Sequence, residues 1–207
     1  MTALKKAKSI GDISRVQAIQ RAESIALIFD DERINYKTLD KMASQSANGL
    51  IAAGVKKNDR ICYLGTNSAH YFELILAASK VAGVMCPINW RLSVNEVFYI
   101  LEDTDAKIIF VANEFEETVN KALSKITRNI TIININDFDD WRGKNKLTDP
   151  NVECGLKDDV IQLYTSGTTG YPKGVRLSNQ SLLLTRERES QISSPEWSKW
   201  HHNDVSL

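Results

Sequence analysis

Residues 60–88 read Arg60-Ile-Cys-Tyr-Leu-Gly-Thr-Asn-Ser-Ala-His70-Tyr-Phe-Glu-Leu-Ile-Leu-Ala-Ala-Ser-Lys80-Val-Ala-Gly-Val-Met-Cys-Pro-Ile88. Arg60 to Leu64 is a short apolar run of the kind found in a strand buried on both faces. Gly65 to Ser68 turns the chain. Tyr71 to Ala82 carries apolar residues at helical spacing and is predicted to end at Gly83. Val84 to Ile88 is a second short apolar strand. Strand, helix and strand within about 30 residues is a βαβ unit, which implies parallel pairing across a right-handed crossover.

The same alternation extends in both directions. Upstream, Ile25 to Phe29, the acidic turn Asp30-Asp31-Glu32 and Arg33 to Tyr36 predict a small hairpin. Leu39, Met42, Ala43, Ser46, Leu50 and Ala53 then recur at helical spacing, with Gly54 as the stop. Downstream, Ser93-Val-Asn-Glu96 fits a capping box opening a helix with Val97, Ile100 and Leu101. Lys107 to Val111 reads as a strand, Glu116 to Lys125 as a helix and Ile130 to Ile135 as a strand. The expected fold is α/β, a mostly parallel sheet with flanking helices. Residues 136–159 are rich in Asp, Asn and Lys, with isolated Phe138, Trp141 and Leu147, and read as a connecting loop at a subdomain boundary. Val160 to Tyr164 resumes a strand. The organisation predicted is a first α/β subdomain over 1–135, a linker over 136–159 and a further segment over 160–207.

Composition bounds the function. The chain has 207 residues, 26 basic and 26 acidic side chains and a formal net charge of +0. That balance argues against a nucleic-acid binder or a polybasic membrane-surface protein. Cys62, Cys86 and Cys154 are odd in number and far apart, with no CxxC and no zinc-like spacing, so the chain reads as reduced and cytoplasmic. Leu74 to Ile88, the longest apolar stretch, is interrupted by Ser79 and Lys80 and is too short for a membrane span. Cys62 and Cys86 read as small core residues. His70 reads as a surface residue, as do the adjacent His201 and His202. Asn89-Trp90-Arg91 reads as a helix-entry turn packed by Trp90.

The stretch that carries chemistry is Leu163-Tyr-Thr-Ser-Gly-Thr-Thr-Gly-Tyr-Pro-Lys-Gly-Val175. Gly167, Gly170 and Gly174 let the backbone turn tightly and approach a ligand. Thr165, Ser166, Thr168 and Thr169 supply hydroxyl donors, and Lys173 a positive point charge. No Asp or Glu occurs from Val160 through Arg186, so no carboxylate within the stretch repels an anion. Together these residues describe a polyphosphate cradle built on backbone N–H groups. The competing reading is a Gly/Thr-rich surface loop. The loop is not a Walker A, since Lys173 follows Pro172 and precedes Gly174, and it is not GxGxxG. Apolar residues on both sides (Ile161, Leu163; Val175, Leu177) predict strand–loop–strand, not strand–loop–helix.

Tyr164-Thr-Ser-Gly-Thr-Thr-Gly-Tyr-Pro-Lys-Gly174 resembles the AMP-binding signature of the adenylate-forming superfamily: acyl-CoA synthetases, peptide-synthetase adenylation domains and luciferases. Ile34 to Leu39 resembles that family's early strand–helix unit. Val81-Ala-Gly-Val-Met-Cys-Pro-Ile-Asn-Trp-Arg-Leu92, continued by Leu101 to Phe110, resembles its fatty-acyl and medium-chain acyl-CoA synthetase branch. The resemblance implies a ligase. A carboxylic acid attacks the α-phosphate of ATP to give an acyl-adenylate and pyrophosphate, and coenzyme A then displaces AMP to form a thioester. It also implies that Thr165, Ser166, Gly167, Thr168, Thr169, Gly170 and Lys173 contact the β- and γ-phosphates or their Mg²⁺, with Thr165 or Thr168 nearest the metal. Pro172 and Gly174 would shape the loop.

The resemblance covers the first part of the family's large N-terminal domain. The sequence contains no Tyr-Gly-x-Thr-Glu motif for adenine and Mg²⁺, no Thr-Gly-Asp for the ribose and no small domain with the adenylation lysine. The expectation is an incomplete AMP-binding domain, inactive alone, whose partner is the missing C-terminal part of the enzyme. No catalytic residue is assigned within the chain. Two alternatives stay open from the residues themselves: a non-catalytic nucleotide- or phosphate-binding module, and an unrelated α/β phosphotransferase with a non-Walker loop.

Overall fold

A computed structural model describes residues 6–165 and 171–184. Helix α1 (Ile10–Gln20) opens the described chain on a capping box, Ser9 with Asp12. Strands β1 (Ile25–Phe29) and β2 (Glu32–Asn35) form the expected antiparallel hairpin. Then follow α2 (Tyr36–Ala52), β3 (Arg60–Leu64), α3 (Ala69–Lys80), β4 (Val84–Ile88), α4 (Val94–Asp103), β5 (Ile108–Val111), α5 (Glu116–Leu123), β6 (Thr131–Asn134), α6 (Phe138–Gly143), β7 (Asp159–Thr165) and β8 (Lys173–Ser178).

Six strands form the main sheet in the order β6-β5-β3-β4-β7-β8. Every neighbouring pair is parallel except β7–β8. Helices cover both faces, which is why the central strands read as unbroken apolar runs. Alternation still sorts the side chains. Ile61, Tyr63, Met85, Ile108 and Phe110 pack on the face covered by α2, α3 and α6. Cys62, Leu64, Cys86, Ile88, Ile109 and Val111 pack on the face covered by α4 and α5. Each such apolar side chain contributes about 1.5–3 kcal/mol on burial.

Helix α2 ends as expected, with Gly54 in the left-handed region at φ 85° just past the cap. Helix α3 does not. It stops at Lys80, and the left-handed residue is Ala82 at φ 54°. Gly83 serves space instead of backbone freedom, since a Cβ there would meet Ile61 Cδ1 at 2.8 Å.

Residues 136–159, read from sequence as a connecting loop, contain helix α6. Phe138 is fully buried and packs with Trp141 against Phe110, with ring centroids 5.6 and 5.1 Å away. Arg142 Nη1 meets Glu73 Oε2 at 2.7 Å, and Ser46 Oγ donates to the same carboxylate, so α6 is tied to α2 and α3. Farther on, Asn48 Nδ2 donates to the carbonyls of Lys146 and Thr148. Asp149 enters a buried ion cluster: Lys80 Nζ lies 2.6 Å from Asp149 Oδ2 and 2.7 Å from Asp40 Oδ1, and Arg15 adds a two-point bond to Asp149 at 2.8 and 2.9 Å. This segment is polar because it straps down buried charges, not because it is free. Cys62, Cys86 and Cys154 are buried free thiols. Among the described residues, no helix is long and apolar enough to cross a membrane.

Candidate functional site

In an open α/β sheet, ligands bind beyond the carboxyl ends of the strands, where neighbouring connections leave toward opposite faces. That point falls here between β3, which leads into α3 on one face, and β4, which leads into α4 on the other. A cleft of about 270 Å³ lies at these strand ends. Tyr63, Gly65 and Tyr71 line one side, Ile88, Asn89 and Trp90 another, and Leu163 and Tyr164 of β7 a third. Its walls combine aromatic surface with a few hydroxyl and amide groups, the usual make-up of an organic-ligand site.

The wall is rigidly built. Tyr63 donates its hydroxyl to the Thr66 carbonyl at 2.8 Å and lies 3.0 Å from Ser68 Oγ, the side chain that caps α3. Burial raises the Tyr63 and Tyr71 phenols, so both remain protonated at neutral pH. Gly65 is small because a Cβ would meet Tyr63 Oη at 2.8 Å. After β4 the chain turns on Asn89, whose side-chain oxygen accepts from the Arg91 N–H at 3.0 Å. The Ser93–Glu96 capping box then starts α4 as expected. Trp90 does not pack this turn shut. It is 41% exposed, with the Arg91 guanidinium 4.3 Å from its ring and Phe115 at 6.1 Å.

The glycine-rich stretch joins an antiparallel pair, as strand–loop–strand predicts. β7 runs parallel to β4, with Met85 opposite Ile161, so Thr165 ends β7 at the same edge of the sheet where Asn89 follows β4. Thr165 and Lys173 are cross-strand partners, and both are exposed. The loop therefore leaves and returns at one point beside the cleft. Of the residues expected to hold phosphate, Thr165 and Lys173 are brought together there; Ser166, Gly167, Thr168, Thr169 and Gly170 lie outside the described residues. The strand context removes a helix terminus as the anion binder at these two positions.

Gly174 shapes the hairpin by the room it leaves. A Cβ at this position would meet Gln162 Nε2 at 2.6 Å and the Tyr164 ring at 3.1 Å. In that room a line of hydrogen bonds forms. Arg60 Nε donates to Gln162 Oε1 at 3.1 Å, Gln162 Nε2 donates to Tyr164 Oη at 3.0 Å, and Tyr164 Oη donates to Asp103 Oδ2. Burial, reinforced by the Asp103 carboxylate, raises the Tyr164 phenol far above its ordinary value.

Sequence reasoning did not pick out Tyr63, Tyr71, Gln162 or Asp103. The signal for the first two was present: each sits at or just beyond the carboxyl end of a predicted parallel strand. Asp103 and Gln162 carry no such mark, because their relation to Tyr164 is purely tertiary. A wider depression of about 650 Å³ runs along α5 among Glu116, Glu117, Asn120 and Lys121. It is away from the strand ends and its carboxylates disfavour an anion. Among the described residues, no group of three or more His, Cys, Asp and Glu side chains is arranged to hold a metal ion.

Comparison with known proteins agrees with this architecture. The chain is 34% identical over 183 residues to the fatty acid–[acyl-carrier-protein] ligase ScoC of Streptomyces coeruleorubidus, covering 88% of this chain and 35% of that protein. It is 31% identical over 186 residues to the long-chain-fatty-acid–CoA ligase FadD13 of Mycobacterium tuberculosis, covering 84% and 36%. The chain thus spans about a third of the length of these relatives. The solved N-terminal domain of FACL13 from Mycobacterium tuberculosis superposes with a TM-score of 0.79 at 30% identity, over 85% of this chain and 46% of that one. The model of the AMP-binding enzyme family matches residues 14–206, nearly the whole chain. With its signature on the β7–β8 hairpin beside a cleft at the strand ends, the chain belongs to the AMP-binding enzyme family.

Proposed function

We propose that the chain forms the first part of the nucleotide-binding domain of an AMP-forming acid–thiol ligase, one that activates a fatty or related carboxylic acid with ATP and passes it to coenzyme A. The observation that carries this reading is the hairpin register: Thr165 opposite Lys173, beside a cleft walled by Tyr63, Trp90 and Tyr164. In this reading the loop residues 165–170 and Lys173 hold the β- and γ-phosphates, and the cleft lies where the acyl-adenylate forms. Negative charge grows on the departing pyrophosphate as the acid attacks the α-phosphate. Fixed N–H donors and the Lys173 ammonium therefore stabilise the transition state more than the ground state.

Mg²⁺ would arrive with ATP. The hydroxyl-rich loop fits that role, since Mg²⁺ is commonly held through substrate phosphates with few protein ligands. Thr165, or Thr168 in the part of the loop outside the described residues, would be its hydroxyl neighbour, and the ion would neutralise phosphate charge.

The names of the relatives support fatty acids as the substrate class, and they differ in the thiol: coenzyme A for FadD13, an acyl-carrier protein for ScoC. The test is ATP–pyrophosphate exchange by the complete ligase against carboxylic acids of graded chain length, followed by thioester formation with coenzyme A or a phosphopantetheinyl carrier protein. Exchange that depends on a fatty acid, with thioester formed on coenzyme A, is the expected result. Nucleotide binding without exchange for any acid would favour a non-catalytic nucleotide module. Phosphoryl transfer from ATP that leaves ADP would sink the ligase reading.

A further inference from the structure

We infer that helix α4 is a two-point clamp on the phosphate loop, with Asp103 holding its outgoing stem through Tyr164 and Tyr99 holding its returning stem through Tyr171; this inference rests on the reading of the loop given above. Tyr99 and Asp103 stand four residues apart on α4 and so share one helix face. Asp103 accepts the Tyr164 hydroxyl, one residue before Thr165. The Tyr99 ring stacks on Tyr171, two residues before Lys173, with centroids 5.1 Å apart and planes at 28°. Tyr171 is 69% exposed, and this stack ties it to α4.

Each contact would be minor alone. Together they act on both ends of one short loop. Positioning the two ends of the hairpin for a polyphosphate costs conformational freedom, and that cost subtracts from binding. Fixing both stems to a helix that is itself capped and packed in the core lowers that cost. The relay from Arg60 through Gln162 continues the same line of hydrogen bonds to Tyr164, and Gly174 leaves the room for it. Asp103 and Tyr99 are positioning residues. They act on phosphate only through Tyr164 and Tyr171, so their effect falls on ATP and not on the acid.

The experiment measures ATP–pyrophosphate exchange and, separately, thioester formation from preformed acyl-adenylate, in the complete ligase. Asp103→Ala and Tyr164→Phe should each raise KM for ATP about tenfold, as expected for one charge-assisted hydrogen bond at a half-exposed site. Because Tyr164→Phe already removes the bond that Asp103→Ala deletes, the double variant should be no worse than Tyr164→Phe alone. Tyr99→Ala should raise KM for ATP about threefold, and Tyr99→Phe, which keeps the stacked ring, should restore it. For Asp103→Ala and Tyr99→Ala, neither of which lines the cleft, KM for the acid and the second half-reaction should stay within about twofold. Multiplying effects of Asp103→Ala and Tyr164→Phe, or equal slowing of both half-reactions, would overturn the clamp. Lys173→Ala separates the two readings. If it weakens ATP use while the clamp variants do not, the clamp fails alone; if it leaves ATP use intact, the phosphate-loop reading fails with it.

Discussion

Replacing Lys80 by Met tests the ion cluster that straps residues 144–158 to the fold. The Lys80 side chain is fully buried, and its ammonium lies between Asp40 and Asp149 at 2.7 and 2.6 Å. Met keeps the stem and removes the charge. Asp149 would retain Arg15 and the Asn151 N–H, but Asp40 would retain only the Ser14 hydroxyl at 2.6 Å. Breaking a buried pair costs about 3–5 kcal/mol. The two carboxylates are 18% and 27% exposed, so water offsets part of that, and about 3 kcal/mol is expected. For a domain of this size that is a fall in Tm of roughly 6–12 °C at pH 7. The sign with pH follows from Asp149. Burial works to raise its carboxyl, but hydrogen bonds from Arg15 and Lys80 outweigh it and hold it well below the ordinary carboxylate range. A depressed pKa gives stability that is present above the unfolded-state value of about 3.9 and is lost as pH falls below it. The parent should therefore lose stability progressively as pH falls below about 4, and the deficit of Lys80→Met should shrink over the same range as the advantage of an ionised Asp149 is lost. Thermal unfolding of parent and variant at pH 7 and pH 3.5, followed by circular dichroism, measures both. A Tm within 1 °C of the parent at pH 7, or a deficit of equal size at both pH values, would show that packing and not charge holds this cluster.

Three further outcomes are expected. Gly174→Ala should destabilise the hairpin by about 1–3 kcal/mol, because the new methyl displaces the Gln162 amide from Tyr164 and leaves a buried polar group unpaired; hydrogen exchange of the β7 and β8 amides reads this directly. In the complete ligase, Lys173→Ala should slow adenylation by about 30- to 150-fold, the loss of a contact worth roughly 2–3 kcal/mol, while thioester formation from preformed acyl-adenylate stays near the parent rate in single-turnover kinetics. Phe138→Ala should cost about 3–5 kcal/mol by chemical denaturation, because Phe138 is fully buried against Phe110 and Trp141.

The central strands β3, β4 and β5 were legible because burial on both faces leaves few residue types able to occupy them. The predicted bounds Arg60–Leu64 and Val84–Ile88 match β3 and β4 residue for residue. The Ser93–Glu96 box and the strand–loop–strand form of the signature were legible for a similar reason: each is a local pattern whose partners lie within a few residues. What was not legible is tertiary. Phe138 and Trp141 look isolated in a polar stretch, yet six residues of helix suffice to deliver both to the core. Lys80 interrupts an apolar helix and reads as a break, whereas its partners Asp40 and Asp149 are 40 and 69 residues away. Helix α1 is weakly amphipathic and lies beside a lysine-rich start, so its contribution shows in tertiary bonds: Arg15 to Asp149, Ser14 to Asp40, the Gly11 N–H to Ser79 and the Ile10 N–H that Asn179 accepts at 3.2 Å.

The placement of these features divides labour within the sheet. Lys80 ends α3 and precedes β4, so the ion cluster sits at the amino edge of the parallel strands. Asn179 follows the antiparallel β8 and reaches the same edge, where it holds the α1 start and the carbonyls of Gly155 and Asp158. The cleft and the β7–β8 hairpin occupy the opposite, carboxyl edge. Buried charges and polar straps are costly to disturb, and an edge proposed to admit a ligand is better built without them. Concentrating them at the amino edge lets the carboxyl edge stay open while the strands between remain fixed. Substitutions at the two edges should therefore separate by assay: those at Lys80, Asp149 or Asn179 should lower Tm with little change in KM for ATP, and those at Lys173 should impair ATP use with little change in Tm. A variant at Asn179 that raised KM for ATP while leaving Tm unchanged would show that the two edges are coupled through β8, and the division would not hold.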